Sequence, residues 1–337
     1  PGEARMLPVI RALGDVDEDE LIIHAGASEI ELPPAASDHQ RQFMLAGMVR
    51  EWAVTSPASH AAQIVSGSVA QALRMATSLM QLIDHLDNGD ISLADVPAAL
   101  LNDSELPLHH EEAIGFLSII AERYPAAMRD AGLLGPAERR ARLLRLEAER
   151  LVTNPPDAPV IAAGSTGSLP ATAALLHTVA CLPQGCVVLP GLDTSLDEES
   201  WQALGEQHPQ FGLRELLHLF GITRDDVQAL PGIARRDDGK PRVRLASELM
   251  RPTETTHKWH DLREHKPTLE QACRSIRWLE APDMREQALM IALAMRKALH
   301  EDRRCALITP DRQLARRVSA ELARWNVHVD DSAGEPL

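Results

Sequence analysis

The strongest constraint on the fold is a change of hydrophobic pattern at the segment TNPPDAP, residues 153–159. Its three prolines lack a backbone N–H and cannot lie inside a helix, so the segment is predicted to be a linker. Before it, apolar residues recur every three or four positions, the spacing of a helix with one buried face. After it, short apolar runs alternate with helical patterns, which predicts parallel strands joined by helices.

Residues 1–152 are predicted to form a mainly helical subdomain, with one strand near residues 20–25 in the sequence LIIHA. Ser37 offers a hydroxyl cap to the first helix, which is expected to run to about Trp52. Three more helices are predicted from the apolar spacing, at residues 60–86, 114–128 and 138–150. Glycines at 132 and 135 are expected to end the second of these three.

Residues 153–267 are predicted to hold part of a first α/β domain, and residues 268–337 the beginning of a second. In the first, VIAA and GCVV are predicted strands, bridged by a glycine turn and a helix in a βαβ unit. In the second, SIRWLEA, CALIT and NVHVD are predicted strands, and Thr309 is predicted to cap a helix that starts at Pro310. The predicted fold class is α/β, a parallel sheet with a large helical subdomain.

The overall charge is acidic, with 34 Lys and Arg against 49 Asp and Glu and a formal net charge of -15. This is the opposite of the basic surface expected of an autonomous nucleic-acid module. No stretch approaches the roughly 20 apolar residues of a membrane span, and the first ten residues lack the pattern of a signal peptide. A cytoplasmic location without a membrane partner is therefore expected. The first residue is not Met, so the chain is expected to be an internal piece of a longer protein.

Metal ligands and nucleophiles are not indicated by their usual spacings. A C-x4-C pair without nearby third and fourth ligands does not fit zinc or iron–sulfur sites. The cysteines are predicted to be reduced and mostly buried; they are Cys181, Cys186, Cys273 and Cys305. His257 and His260 have an i, i+3 spacing but no paired carboxylate motif, and no G-x-S-x-G elbow is present. The sequence predicts no metal site and no catalytic residue.

The glycine turn is the candidate phosphate loop, because glycines between a strand and a helix can bring backbone N–H groups close to a phosphate. The candidate residues are Gly164, Ser165, Thr166 and Gly167. The loop lacks the Lys-Ser/Thr pair of a Walker A motif and the full dinucleotide spacing, so a plain strand-to-helix turn is the alternative.

Asp193 follows the second strand and is either a magnesium ligand, together with the acids at 197–199, or part of a helix cap.

Two basic segments are candidates for contact with DNA phosphates. The first holds the candidate nucleic-acid-binding residues Arg235, Arg236, Lys240, Arg242 and Arg244, followed by Arg251. The alternative is a solvated stretch of loops and short helices, since no aromatic residues alternate with the cations. The second segment holds Arg139, Arg140, Arg142 and Arg145. Here the interleaved glutamates favour an ordinary salt-bridged helix face over a channel lining.

Several segments resemble, in the same order along the chain, the AddB subunit family of helicase-nucleases that process double-strand DNA breaks. The longest is PPDAPVIAAGSTGSLPATAALLHTVACLPQGCVVLPGLD, residues 155–193. The others are ELPPAASDHQRQ at 31–42, HPQFGL at 208–213, and ALITPDRQLARRVSAELARWNVHVDDSAGEPL at 306–337. The resemblance extends over essentially the whole chain.

This resemblance implies a superfamily-1 helicase-like architecture of RecA-like P-loop NTPase domains with a helical insertion, followed in the full subunit by a PD-(D/E)xK nuclease domain. It places VIAAG at the Walker B strand, where Ala163, Gly164, Ser165 and Thr166 stand instead of an acidic pair. It implies a non-catalytic scaffold that guides DNA ends beside an AddA-like motor subunit. This segment is then expected to hold no cofactor, while the full complex uses ATP, magnesium and an iron–sulfur cluster.

Two other functions remain open from the residues alone. One is a stand-alone nucleotide- or sugar-phosphate-binding α/β enzyme that uses the GSTGS loop, with Asp193 as its metal ligand. The other is a protein-interaction scaffold without DNA contact, which the net charge of -15 favours.

Overall fold

The computed structural model describes residues 9–13, 32–55, 68–97, 110–230, 240–274 and 276–332. The chain divides into two compact units, Pro1–Lys266 and Pro267–Leu337. Its described part is mixed α/β and mostly helical, with one parallel pair of strands. None of the described helices is long and apolar enough to cross a membrane.

In the first unit the described helices are α1 (Asp38–Thr55), α2 (Val69–Asn88), α3 (His110–Asp130), α4 (Pro136–Thr153), α5 (Pro170–Cys181), α6 (Glu198–Gln202), α7 (Phe211–Phe220) and α8 (Lys240–Leu249). The strands are β1 (Val160–Ala163) and β2 (Gly185–Val188), and 3-10 helices span Arg224–Asp226 and Thr253–His265. After these come α9 (Lys266–Cys273), α10 (Met284–His300) and α11 (Arg312–Ala323). The strand predicted near residues 20–25 lies outside the described residues.

Two predicted helix boundaries of the first unit are confirmed, the start of α1 and the end of α3. The Gln40 backbone N–H donates to Ser37 Oγ at 3.3 Å, and the Ser37 N–H donates to Gln40 Oε1 at 2.9 Å. These reciprocal bonds form a capping box at the start of α1, which confirms Ser37 as the cap. Helix α3 ends at Asp130, two residues before Gly132, whose φ of 65° is readily available only to glycine. Helix α4 begins at Pro136, two residues before its predicted start at residue 138; at this first position the missing N–H of proline leaves no bond unmade.

Helices α1, α2 and α3 enclose the core of the helical part. Leu45, Val49, Ala72, Ala76 and Ile120 are fully buried there. The rings of Trp52 and Phe116 also meet there, with centroids 4.6 Å apart. Fully burying a large apolar side chain contributes about 1.5–3 kcal/mol, so this cluster supplies most of the stability of the three-helix arrangement.

Helix α4 connects the helical part to the strands. It contacts α2 and also packs along α5. Leu144, Ala148 and Leu151 lie in the same buried cluster as Leu176 of α5. The prolines of TNPPDAP follow in irregular backbone, as predicted, and lead directly into β1. The strands are thus held against the helical part by a shared apolar cluster.

The predicted βαβ unit is confirmed. Strands β1 and β2 pair in parallel, from Val160 opposite Gly185 to Ala163 opposite Val188, and α5 is the crossover helix. Ala162 is buried in the cluster with α4 and α5, whereas Ile161, which points to the other face, is 64% exposed. One face of the strand pair is therefore packed.

In the second unit, helices α10 and α11 pack against each other through Ala288, Ala292, Leu314, Val318 and Leu322. The prediction of Thr309 and Pro310 as cap and first residue of α11 is wrong by two positions. Asp311 is the cap, because its Oδ1 accepts the N–H groups of Gln313 at 2.8 Å and Leu314 at 3.2 Å. A carboxylate at this position also interacts favourably with the positive end of the helix.

The three strands predicted in the second unit are wrong for the residues that the structure describes there. The segments at 276–281, 305–309 and 326–330 have irregular backbone, and Ile276, Trp278 and Ile308 are exposed. An apolar run of this kind becomes a strand only when a neighbouring strand takes its N–H and C=O groups. Within the described part of this unit no such partner strand is present.

Candidate functional site

The carboxyl ends of β1 and β2 lie side by side and bring two loops together. The Gly164 N–H donates to Val188 O at 3.2 Å, so the pairing continues just past β1. The candidate phosphate loop, residues 164–167, follows β1, and residues 189–193 follow β2. In open α/β sheets this edge is where ligands bind.

Gly167 has a packing role within the candidate phosphate loop. Its φ is 63°, and a methyl group at this position would lie 2.8 Å from Leu216 Cδ1 and 3.3 Å from Leu176 Cδ1. Its N–H donates to Ser165 Oγ at 3.2 Å. The glycine therefore lets α5 and α7 approach the loop closely, and its own amide is already engaged.

Gln210 of the HPQFGL segment hydrogen-bonds the loop that follows β2, residues 189–193. The Gln210 side chain donates from Nε2 to Gly191 O at 3.0 Å and accepts the Asp193 N–H on Oε1 at 2.9 Å. His208 accepts the Gln210 N–H on Nδ1 at 3.0 Å and bonds Met250 O through Nε2 at 2.5 Å. One short segment thus joins the loop after β2 to α7 and to the end of α8. Composition and periodicity gave no sign of this role.

Asp193 and Asp197 are used in backbone turns. Asp193 Oδ1 accepts the N–H groups of Ser195 at 2.7 Å and Leu196 at 3.0 Å. Asp197 is the N-cap of α6 and accepts the Ser200 N–H at 3.2 Å. The interpretation as a helix cap is confirmed for Asp197, whereas Asp193 stabilises the turn at residues 193–196 and does not cap α6. In the part of the chain that the structure describes, no group of three or more His, Cys, Asp or Glu side chains could hold a metal ion.

Asp197 is also the centre of an ionic cluster that holds the 3-10 segment Thr253–His265 against α6. It pairs with Arg251, and its Oδ1 lies 2.6 Å from Lys258 Nζ. Ser200 and Thr255, both buried, hydrogen-bond to each other at 2.8 Å. Partial burial opposes ionisation of Asp197, but the bonds from Lys258 and Arg251 outweigh it and lower its pKa. Ser200 is too deeply buried to act as a nucleophile.

Replacing Asp197 with asparagine is expected to lower the free energy of unfolding at pH 7 by about 1 kcal/mol, a small value because the carboxylate is partly exposed. Since the pKa of Asp197 is lowered on folding, its contribution is present above about pH 4 and is lost as the pH falls. The difference between wild type and Asp197→Asn should therefore shrink in urea melts below pH 4. The control is Glu199→Gln, whose exposed carboxylate pairs with the same lysine at 2.6 Å and should change stability by under about 0.5 kcal/mol.

The candidate DNA-binding residues fall into three groups. Arg235 and Arg236 lie outside the described residues, and so does the side chain of Lys240, the first residue of α8. Arg242 and Arg244 are exposed on α8. Arg251 is different, because its side chain is only 6% exposed and pairs with Asp197 and Glu248. It is an internal residue, which corrects its inclusion in the basic segment as a phosphate contact.

The arginines of α4 are largely engaged within the fold. Arg142 pairs with Glu138 at 2.5 Å, and Arg145 pairs with Asp90 at 2.7 Å. Arg139 Nε donates to Pro33 O at 3.0 Å. The salt-bridged interpretation is confirmed for Arg142, while Arg139 and Arg145 tie α4 to other segments.

The cysteines correct one expectation. All four are exposed free thiols, whereas the sequence predicted that they would be mostly buried. Cys186 lies on the strand face that carries Ile161, and α5 covers the opposite face. Cys181 Sγ lies 3.9 Å from His177 Nε2, one helical turn earlier in α5.

Comparison with known proteins adds no relative. No protein-family model, curated protein or solved structure matches the chain.

Proposed function

We propose that this chain is the helicase-like part of an AddB-type subunit, a non-catalytic scaffold that guides DNA during recombinational repair of double-strand breaks. The proposal is supported first by the four segments that resemble this family in the same order. It is also supported by the βαβ unit that the longest of these segments forms. The RecA-like P-loop NTPase architecture, the AddA-like motor partner and the DNA ends as ligand are parts of the same proposal.

The observation that carries the non-catalytic role is the end of β1. A helicase motor places an acidic pair there to hold magnesium and activate water, and here the residues are Ala163, Gly164, Ser165 and Thr166. The nearby Asp193 and Asp197 are engaged by backbone amides and cations. These residues do not fit a magnesium-ATP site, so in this proposal ATP and magnesium act on the partner subunit. The iron–sulfur cluster is assigned to the nuclease part of the full subunit.

Contact with the DNA backbone is assigned to α8. Lys240 and Arg244 are four residues apart and therefore share one face of this helix, while Arg242 lies on another. Phosphate contacts by such cations give affinity without sequence preference. The acidic surplus of the chain is consistent with a scaffold that confines its DNA contacts to a few cations.

Replacing both Arg242 and Arg244 with alanine is expected to weaken binding to forked DNA and to lower the salt slope of log Kobs by up to about two units, since each phosphate contact contributes about 0.9. The measurement is fluorescence anisotropy of a labelled fork at several salt concentrations, with the chain alone and with an AddA-like partner. The matched control is Arg50→Ala together with Arg74→Ala, exposed arginines of α1 and α2. An equal loss in the control would assign the effect to net charge and count against α8.

The nucleotide- or sugar-phosphate-binding enzyme is the second candidate, and the position of the GSTGS loop at the carboxyl edge of the strands favours it. It predicts that ATP raises the melting temperature of the chain at concentrations where inorganic phosphate does not. It also predicts no binding to forked DNA at low salt. The scaffold proposal predicts that ATP gives no rise in melting temperature beyond that of inorganic phosphate, and that the chain binds forked DNA at low salt.

A further inference from the structure

The N-terminal ends of two helices meet beside the glycine loop. A methyl group placed on Gly212, the second residue of α7, would lie 3.3 Å from Ser168 Cβ and 3.7 Å from Thr166 O. Ser168 in turn stands two residues before Pro170, the first residue of α5. The first turn of α7 therefore touches the residue that leads into α5. Each helix end carries partial positive charge, and here the two ends lie close together.

Neither helix end has a side-chain cap. The N-cap residues are Leu169 for α5 and Gln210 for α7, and neither caps through its side chain. Pro170 has no N–H, so the first free amides of α5 belong to Ala171 and Thr172. In α7 the Phe211 N–H donates to His208 O at 2.9 Å, which leaves the amides of Gly212 and Leu213. Among the described residues none of these four amides has a hydrogen-bond acceptor.

Thr172 supplies a second and independent observation. It is only 8% exposed, yet its hydroxyl makes no hydrogen bond with any residue that the structure describes. In the same residues every fully buried side-chain oxygen or nitrogen has a partner, so this hydroxyl keeps contact with solvent. It lies one helical turn before Leu176, whose Cδ1 faces Gly167. Thr172 is therefore on the face of α5 that is turned toward the loop and α7.

We propose that Ser168, Thr172 and the free amides of the first turns of α5 and α7 form a binding site for one phosphate group. Converging helix ends bind anions through their N–H groups, and the two hydroxyls add donors. This differs from a phosphate loop made of Gly164–Gly167, because Gly167 is buried and its amide is engaged. If the proposed function holds, the phosphate group belongs to a DNA phosphodiester; this identification of the ligand rests on the proposed function. A nucleotide phosphate offers the same chemistry.

The direct test is a titration of the full chain with sodium phosphate at constant ionic strength, followed by amide NMR. Saturable shifts of the Ala171, Thr172, Gly212 and Leu213 amides are expected, whereas sodium chloride alone should leave them unchanged. Thr172→Val, which keeps the side-chain shape, should weaken phosphate binding about tenfold, because a hydrogen bond to a charged group is lost. Absence of saturable shifts at these amides would overturn the proposal.

A competing carboxylate gives an independent check. Leu169→Asp places an acid at the N-cap of α5, where it should occupy the free amides, raise the melting temperature and abolish the stabilisation by phosphate. Leu169→Ala, which provides no cap, should keep the phosphate effect. If Leu169→Asp still responds fully to phosphate, the site lies elsewhere and the proposal is wrong.

The source of the phosphate is separated by two further titrations on the same amides. If a short single-stranded DNA shifts the NMR signals of these amides, the phosphate comes from the DNA backbone. If ATP shifts them and DNA does not, the phosphate site is supported but the proposed function is contradicted. DNA binding that leaves these amides unchanged, together with no response to inorganic phosphate, would contradict the site and leave the function standing.

Discussion

Replacing Arg41 with methionine is expected to lower the free energy of unfolding by about 2–3 kcal/mol, less than for a fully buried ion pair because the Asp84 carboxylate left behind is 36% exposed. The Arg41 side chain is fully buried and donates to Asp84 Oδ1 at 2.6 Å, to Asp84 Oδ2 at 3.1 Å and to Tyr124 Oη at 3.0 Å. Burial alone would lower its pKa, but the bonds to Asp84 and Tyr124 raise it, so the guanidinium remains charged. Methionine keeps the apolar length and removes all three bonds.

Chemical denaturation at pH 7 measures this loss, and the control lies on the same helix. Arg50 of α1 is exposed, so Arg50→Met should change stability by no more than about 0.5 kcal/mol. The double variant Arg41→Met with Asp84→Leu should recover part of the loss, because the uncompensated carboxylate is then gone. A single variant as stable as wild type would show that the three bonds contribute nothing net to the joining of α1, α2 and α3.

Replacing Asp87 with asparagine is expected to stabilise the protein at pH 7.5 by about 1–2 kcal/mol. Asp87 lines a cavity of about 630 Å³ between α2, α3 and α4, in which Glu138 and Asp90 are also found. Burial, followed by repulsion from Glu138 and Asp84, raises the pKa of Asp87 to about 6. A pKa shift of this size corresponds to a destabilisation of the folded protein by about 3 kcal/mol, and the partial exposure of the Asp87 carboxylate reduces this value.

The sign of the pH dependence follows from the raised pKa. Between about pH 4 and pH 6 the folded protein binds more protons at Asp87 than the unfolded chain does. The contribution of Asp87 to the free energy of unfolding therefore falls as the pH rises through this range and is constant above about pH 6. The advantage of Asp87→Asn over wild type should therefore be small at pH 4 and full at pH 7.5 in urea melts. The control is Asp90→Asn, which removes an exposed carboxylate paired with Arg145 and should give no such gain. An Asp87→Asn difference that is independent of pH would contradict the raised pKa.

The residues that matter most to the candidate site were only partly visible in the sequence. The glycine turn was found because glycines after a strand stand out against an apolar run. The two hydrogen bonds of the Gln210 side chain, and the Thr172 hydroxyl that has no partner among the described residues, carry no such signal, because glutamine and threonine are common in any helix start or surface turn. Arg41 likewise lies in a polar-looking stretch, DHQRQ, and only the packing of three helices makes it a buried residue.

The sequence by itself determined the elements whose signals are local. The Ser37 cap, the end of α3 before Gly132 and the βαβ order around residues 160–188 all depend on residues close together in the chain. Capping, glycine and proline geometry, and apolar period act over a few residues, so they can be recognised without a tertiary structure.

The tertiary structure alone decided which apolar runs became strands and which charges became internal. VIAA and CALIT look alike as sequences, but in the part of the chain that the structure describes only VIAA has a parallel partner to take its backbone hydrogen bonds. Arg251 and Arg244 stand in one basic segment, yet Arg251 is buried against Asp197 while Arg244 remains exposed. The physical reason is the same in both cases: strand pairing and ion pairing join groups that are distant in the chain, and local sequence carries no record of which groups will meet.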